Sequence, residues 1–168
     1  VVGDAEALAA EVARRVGGRL VAFERFGTAR VAAFGTYVDV AQARTEWYPA
    51  PGALPVPETA PSIDADLFRR DFTINAMAVP LAGDDRPLVD PWGGASDLQA
   101  CRLRALHPRS FDDDPTRLFR GVRLAVRYGL EVEPETARWM RQAIERRTAD
   151  TVSAERRGQE VRRALSES

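Results

Sequence analysis

Lysine is absent from this chain of 168 residues; all 24 basic residues are arginine. Beside an alanine-rich composition, that bias fits a GC-rich genome better than a functional demand. Cysteine occurs once, at Cys101, which excludes an internal disulfide and matches a reducing cytosol, so a cytoplasmic location is expected. The only histidine, His107, stands beside Pro108 and reads as structural. No apolar run approaches the roughly 18 residues of a membrane span, so no membrane partner is expected. The opening VVGDAEAL has neither the basic start nor the apolar stretch of a signal peptide. Net charge of one sign is also missing: the balance is -1, and no whole-molecule field draws in nucleic acid.

What is present is a globular composition, 45% hydrophobic, in a chain long enough to bury a real core. Charge is uneven. Residues 1–100 carry 9 Arg against 14 acidic residues, and residues 101–168 carry 15 against 11. The basic excess sits in the C-terminal part; a solvated helix face is its commoner cause, and RNA or DNA binding the other.

DAEALAAEVARRVGG predicts a helix capped by Asp4, with Leu8, Val12 and Val16 at helical spacing and Gly17-Gly18 at its end. RLVAFERF (19–26), ARVAAF (29–34) and TYVDVAQA (36–43) predict three strands, the first two parted by Gly27. A helix followed by hairpin-spaced strands predicts an α/β unit with a mixed sheet. Residues 45–62 hold five prolines and one glycine and predict a long, mobile loop. Ser62 and Asp64 offer caps for a short helix, MAVPL (77–81) an edge strand, and CRLRALH (101–107) another strand. DPWGGASDL predicts a turn, then a helix capped at Ser96 or Asp97. From Asp112 onward the pattern is helical, with Asp114 as cap, Pro115 in the first turn and Gly129 at the stop of the first helix. The expected organisation is a domain over 1–110 and a helical segment over 111–168.

Several residues suggest chemistry. Asp114 and Arg117 lie three apart at a helix start and share a face. Held side by side, the carboxylate accepts from an exocyclic amine and the guanidinium donates to a neighbouring ring atom. Cytosine and adenine fit such a pair, and uracil and guanine put a carbonyl where the carboxylate would repel it. An ordinary ion pair at a cap is the commoner use of that spacing. Asp39, flanked by apolar residues on a strand, faces away from them and offers either a solvent-facing acid or one metal carboxylate. In FRRDFTINAMAV (68–79), Arg69 and Arg70 suit phosphate oxygens, and Asp71 a ribose hydroxyl, with Asn75 four residues on; surface charges at a helix end are the alternative. Gly93-Gly94 fits a tight turn better than a phosphate cradle. Arg117, Arg120, Arg123 and Arg127 form a helical stripe, a solvated face by default and an RNA contact otherwise.

RRDFTINAMA, DPWGGASDL, DDPTRLFRGVRLAVRYGL and VSAERR, in this order, closely resemble the class II tRNA nucleotidyltransferase and bacterial poly(A) polymerase family. The likeness extends over nearly the whole chain. It implies a polymerase-β-like nucleotidyltransferase head, followed by the start of an all-α neck. It implies that Arg70 and Asp71, supported by Arg69 and Asn75, grip ribose and phosphates. It implies that Asp114 and Arg117 pair with CTP and ATP, with Asp113 standing where the family usually has Glu. Ser153, Glu155 and Arg156 match the motif that brace the neck helices, and Asp39 the third carboxylate of the superfamily. The implied partners are the tRNA 3′ end, CTP and ATP; the implied cofactor is a pair of Mg²⁺ ions. The family's glycine-pair turn and Asp-x-Asp strand, which hold the metals, are expected to precede Val1, so the chain reads as a head-and-neck fragment. A poly(A) polymerase acting on other RNA, and a non-catalytic nucleotide- or RNA-binding module, are the rival expectations.

Overall fold

Asp4 and Gly17 bound the first helix, as their chemistry dictates. In the computed structural model, which describes residues 1–24 and 27–166, α1 spans Ala5–Val16. The Asp4 carboxylate accepts from the Ala7 N–H, and Gly17 closes the helix at a left-handed φ of 64°. The chain divides into two compact units. The first is Val1–Glu46 with Pro57–Asp66, and the second is Trp47–Val56 with Leu67–Ser168.

In the first unit, β1 (Arg19–Glu24), β2 (Thr28–Ala33) and β3 (Thr36–Ala41) form an antiparallel sheet in chain order. The 25–26 end of the expected first strand lies outside the described residues. Phe34 and Gly35 join β2 to β3 with both φ values positive, 53° and 73°, as a two-residue hairpin turn requires. Pairing Ala29 with Val40 and Val31 with Val38 puts these four on one sheet face. Against that face lie Ala9 and Ala13 of α1. The expected stripe of Leu8, Val12 and Val16 is therefore only partly the buried one: Leu8 is 41% exposed and Val16 is exposed too, Val12 packs at the edge of the core, and Ala5, Ala9 and Ala13 are buried. Alanines let the helix axis come close to β2, and Leu8 and Val16 turn outward. The Val1 nitrogen donates to the Ala41 carbonyl at 2.6 Å, and the Val1 carbonyl accepts from Ala43 N at 2.6 Å, so Val1 runs strand-like beside β3.

The expected loop at 45–62 is largely a hairpin. β4 (Arg44–Trp47) pairs with β5 (Val56–Thr59), leaving a short tip at 48–55. Pro57 sits in a two-stranded ribbon, where a strand has an open edge and a missing N–H is tolerated. Ser62 Oγ then accepts from Ala65 N at 3.3 Å and starts α2 (Ile63–Phe68).

The second unit is built around Phe72, which follows the RRD triplet and is fully buried. Phe72, Leu103, Ala105, Phe111, Leu118, Leu130 and Ala143 form its core, with the Phe72 and Phe111 rings 6.4 Å apart. A 3₁₀ turn at Thr73–Asn75 leads to α3 (Gly94–Gln99). β6 (Arg102–Leu103) pairs in parallel with β7 (Glu131–Val132), the parallel component of the fold. Four helices complete the unit: α4 (Ser110–Asp113), α5 (Thr116–Tyr128), α6 (Pro134–Glu145) and α7 (Ala154–Ser166). The core crosses the expected 110/111 boundary, since Phe111 and Leu118 pack on Phe72 and Leu103.

Three local expectations are corrected. MAVPL forms one isolated bridge, Ala78 with Val89, because Pro80 has no N–H to extend the ladder. CRLRALH keeps only Arg102–Leu103 as strand, plus the Ala105 bridge to Phe72. The N-cap of α3 is Gly93 rather than Ser96 or Asp97, and the Asp90 carboxylate, three residues earlier, accepts from Gly94 N at 2.6 Å and Ala95 N at 2.9 Å. Those N–H groups are thus occupied, which removes the phosphate-cradle use of Gly93-Gly94. Gly94 is there for contact: a Cβ would lie 2.2 Å from the Thr73 carbonyl oxygen.

Candidate nucleotide-binding site

The RRD turn is held from inside. Asp71 is 5% exposed. Its Oδ1 accepts from Phe72 N at 2.9 Å and Asn75 Nδ2 at 3.1 Å. Its Oδ2 accepts from Arg120 Nε at 2.9 Å, with Arg120 Nη2 at 2.7 Å. A carboxylate offers about four acceptor positions, and these four donors occupy them. The sequence assigns Asp71 to a ribose hydroxyl; in the structure it organises the turn and has no vacant acceptor. Arg70 is exposed beside it and donates to the Asn75 carbonyl at 3.5 Å. Arg69 is half-buried, and its carbonyl accepts from Arg117 Nη2 at 2.7 Å.

That last bond joins two motifs separated by more than forty positions. Arg117 is 5% exposed, and its Nη1 donates to Ser110 Oγ at 2.7 Å. Its fork is bonded to Ser110 and Arg69 and is not the ion-pair partner of Asp114. Asp114 pairs instead with Arg156, whose Nη2 lies 3.1 Å from Oδ1. The same Oδ1 accepts from Thr116 N at 3.1 Å and Thr116 Oγ1 at 2.7 Å. Among the described residues no donor reaches Oδ2, and the Asp114 side chain is 21% exposed. Asp113 accepts from Arg109 one helical turn back at 3.0 Å.

The expected arginine stripe on α5 divides. Arg120 holds Asp71, and Arg123 faces Glu160 on α7 at 3.5 Å, both groups largely buried. Only Arg127 keeps an outward position, over the Tyr128 ring at 5.2 Å. The stripe fails as a solvated face because α7 and the RRD turn pack against it. Just before α7, Ser153 Oγ accepts from Arg156 N at 3.4 Å; within the helix Glu155 is exposed, and Arg156 Nη1 donates to the Gly52 carbonyl at 3.0 Å.

Beneath the turn lies a network that no sequence spacing announces. Asp97 Oδ2 accepts from Thr73 Oγ1 and from Arg104 Nε, both at 2.7 Å, and Arg104 Nη2 donates to the Trp92 carbonyl at 2.8 Å. An acid in DPWGGASDL with a basic residue on the next strand was the only available signal. His107 stacks on Phe68 at 5.5 Å, and Phe68 on Trp92 at 4.8 Å. Burial, and next the Arg117 charge, push the His107 pKa below its ordinary value.

Asp39 belongs to the first unit. Arg30, directly across the ladder, donates Nε to Oδ1 at 2.5 Å and Nη2 to Oδ2 at 2.8 Å, and lies over the Tyr37 ring at 4.2 Å. The guanidinium holds the Asp39 carboxyl below the usual carboxylate range. Two Mg²⁺ ions need several carboxylate oxygens. Among the described residues no three His, Cys, Asp or Glu side chains converge, and both oxygens of Asp39 are taken by Arg30. These residues do not fit a two-metal centre.

Residues 1–104 match the family model described as the poly A polymerase head domain. The A-adding tRNA nucleotidyltransferase of Geobacter sulfurreducens is 42% identical over 159 residues, covering 93% of this chain and 18% of that protein. A CCA-adding enzyme in an apo form superimposes with a TM-score of 0.92 at 37% identity, covering 98% of this chain and 39% of that one. A tRNA nucleotidyltransferase complexed with a primer tRNA and an incoming ATP analogue gives 0.84 at 36% identity, covering 97% and 45%. The chain spans only 18–32% of the length of the first three curated relatives. The RRD turn locked to the DDPTR helix start, the α/β fold with its helical continuation and the match over residues 1–104 agree: the chain belongs to the poly A polymerase head domain family.

Proposed function

We propose that this chain carries the nucleotide-gripping part of an enzyme that adds A, or C and A, from ATP and CTP to the 3′ end of tRNA. One observation carries this reading: the bond from Arg117 Nη2 to the Arg69 carbonyl, which makes a single surface of the RRD turn and the Asp114 helix start. In the reaction the terminal ribose 3′-OH attacks the α-phosphorus, an O–P bond forms, and the bond to pyrophosphate breaks. Arg69 and Arg70 serve the phosphate oxygens. Asp71 and Asn75 hold the turn that presents them. Asp114 Oδ2 accepts the exocyclic amine shared by adenine and cytosine. Arg117, buried and doubly bonded, fixes Asp114's helix start against that turn, and Asp113 flanks it. Ser153, Glu155 and Arg156 belong to the helical brace, and Arg127 is the stripe's remaining candidate for an RNA phosphate. The metal dependence that the family implies rests on carboxylates other than Asp39. A cytoplasmic setting fits the lone cysteine, and no described helix is long and apolar enough to cross a membrane.

The first three curated relatives are all A-adding enzymes, which favours ATP as the substrate. The test is incorporation by the complete protein, with ATP and CTP supplied separately, on tRNA ending in CC and on tRNA lacking CCA. ATP is expected on the CC end. CTP incorporation on the shorter tRNA would replace the A-adding reading with CCA addition. Long adenylate tails on generic RNA would make it a poly(A) polymerase, and no incorporation at all a binding module. Asp114→Ala is expected to admit UTP and GTP; unchanged exclusion removes Asp114 from base reading.

A further inference from the structure

We propose that Arg156 is a positioning residue that ties Asp114 to the tip of the β4–β5 hairpin, so that the carboxylate presents only one oxygen to the nucleotide. The proposal rests on Asp114 being the base-reading group. Arg156 sits in the first turn of α7 and divides its fork between two distant segments. Nη1 donates to the Gly52 carbonyl at 3.0 Å, and Nη2 to Asp114 Oδ1 at 3.1 Å. With the two Thr116 donors, Arg156 makes Oδ1 a three-donor acceptor and leaves Oδ2 as the open one. A planar guanidinium spans two acceptors in fixed geometry, which a lysine ammonium does not reproduce.

The hairpin end of the link is fixed independently. Gly52 has a left-handed φ of 72°, and a Cβ there would meet Thr151 Oγ1 at 2.1 Å. The tip therefore seats against the 3₁₀ turn Thr148–Thr151 only while position 52 has no side chain. Two unrelated changes reach the same device: loss of the Arg156 fork, and a methyl group at Gly52, which touches neither Arg156 nor Asp114 directly.

The experiment uses the complete enzyme with Arg156→Gln, Arg156→Lys, Gly52→Ala and the Arg156→Gln/Gly52→Ala pair. Each is assayed for KM and kcat with ATP and CTP and for misincorporation of UTP and GTP. Arg156→Gln and Gly52→Ala are each expected to raise KM and to weaken base discrimination about tenfold, the size of one charge-assisted hydrogen bond, with a smaller change in kcat. Arg156→Lys is expected to follow the Gln variant, and the double variant to be no worse than the worse single one. Thr151→Ala combined with Gly52→Ala removes the closest contact and is expected to recover part of the discrimination, which a misfolded variant would not do. Unchanged discrimination in Arg156→Gln, or additive losses in the pair, overturns the link. Asp114→Ala separates the two ideas. If it leaves discrimination intact, the base-reading assignment fails and the Arg156 proposal with it. If it relaxes discrimination while Arg156→Gln does not, only the Arg156 proposal fails.

Discussion

Asp71 is surrounded by donors from its own turn and from α5, and removing any one of them leaves a buried carboxylate oxygen short of a partner. Arg120 supplies two of the four contacts, from a side chain whose outer part is in water. Arg120→Met keeps the stem's packing and deletes those donors. The expected cost is about 2 kcal/mol, below that of a fully buried pair because solvent reaches this one from one side. Urea unfolding measures it, and a loss under about 0.5 kcal/mol would mean that water replaces the guanidinium without penalty. His107 gives a second residue-scale expectation. Burial lowers its folded-state pKa, so below the unfolded value of about 6.5 the unfolded chain binds a proton that the folded chain refuses. Its share of stability is complete above about 6.5 and falls as pH drops from there toward the lowered folded value. The melting temperature is expected to decline in that window, and His107→Phe, which keeps a ring against Phe68, to flatten the decline. An equal slope in wild type and variant would assign the loss to the carboxylates.

At the scale of elements, the sequence made ends legible and faces illegible. Asp4, Gly17, Ser62 and Gly129 cap or close their helices as their local chemistry requires, because a cap is settled within four residues. Which stripe of α1 goes inward depends on what it packs against, and there alanines win over Leu8 and Val16. The α5 arginines had helical spacing but no marker for Asp71 or Glu160, so in a stripe that reads as a solvated face Arg120 and Arg123 instead pair with acids on other segments. The long proline-rich stretch read as a loop because pairing between β4 and β5 is not a local signal. Gly94 gives the sharpest test of an element contact. An alanine there gains helix propensity of about 1 kcal/mol, but its Cβ meets the backbone of Thr73, which is itself fixed by Asp97. Overpacking of this kind costs about 1–3 kcal/mol, and a net destabilisation of about 1–2 kcal/mol is expected in the denaturation midpoint. A neutral or stabilising result would show that α3 slides away freely.

For the whole molecule, the two units carry very different cores. The first buries Ala9, Ala13, Ala29 and Val31, and the second buries Phe72, Leu103, Phe111 and their neighbours. All three tryptophans, Trp47, Trp92 and Trp139, belong to the second unit. Tryptophan fluorescence therefore reports that unit alone, whereas far-ultraviolet circular dichroism reports both. The poorer core is expected to yield first, so ellipticity should start to fall at lower urea than fluorescence does. Coincident curves would show instead that the units unfold as one. At this scale the resemblance carried more than composition did: a net charge of -1 says nothing of RNA, while four short motifs located the head, the turn and the helix start.

Gly52 has a consequence for how such chains diverge. Its missing side chain is matched to the hydroxyl of Thr151, about a hundred positions away. A lineage that first acquires a larger residue at 52 pushes the hairpin tip off its seat. A lineage that first shortens Thr151 opens the space that the new residue would need. The order of these two events is thus constrained. Among related chains, a non-glycine at this position should appear mainly where the residue facing it has already become smaller, which is a historical dependence between two sites that no local reading of either would reveal.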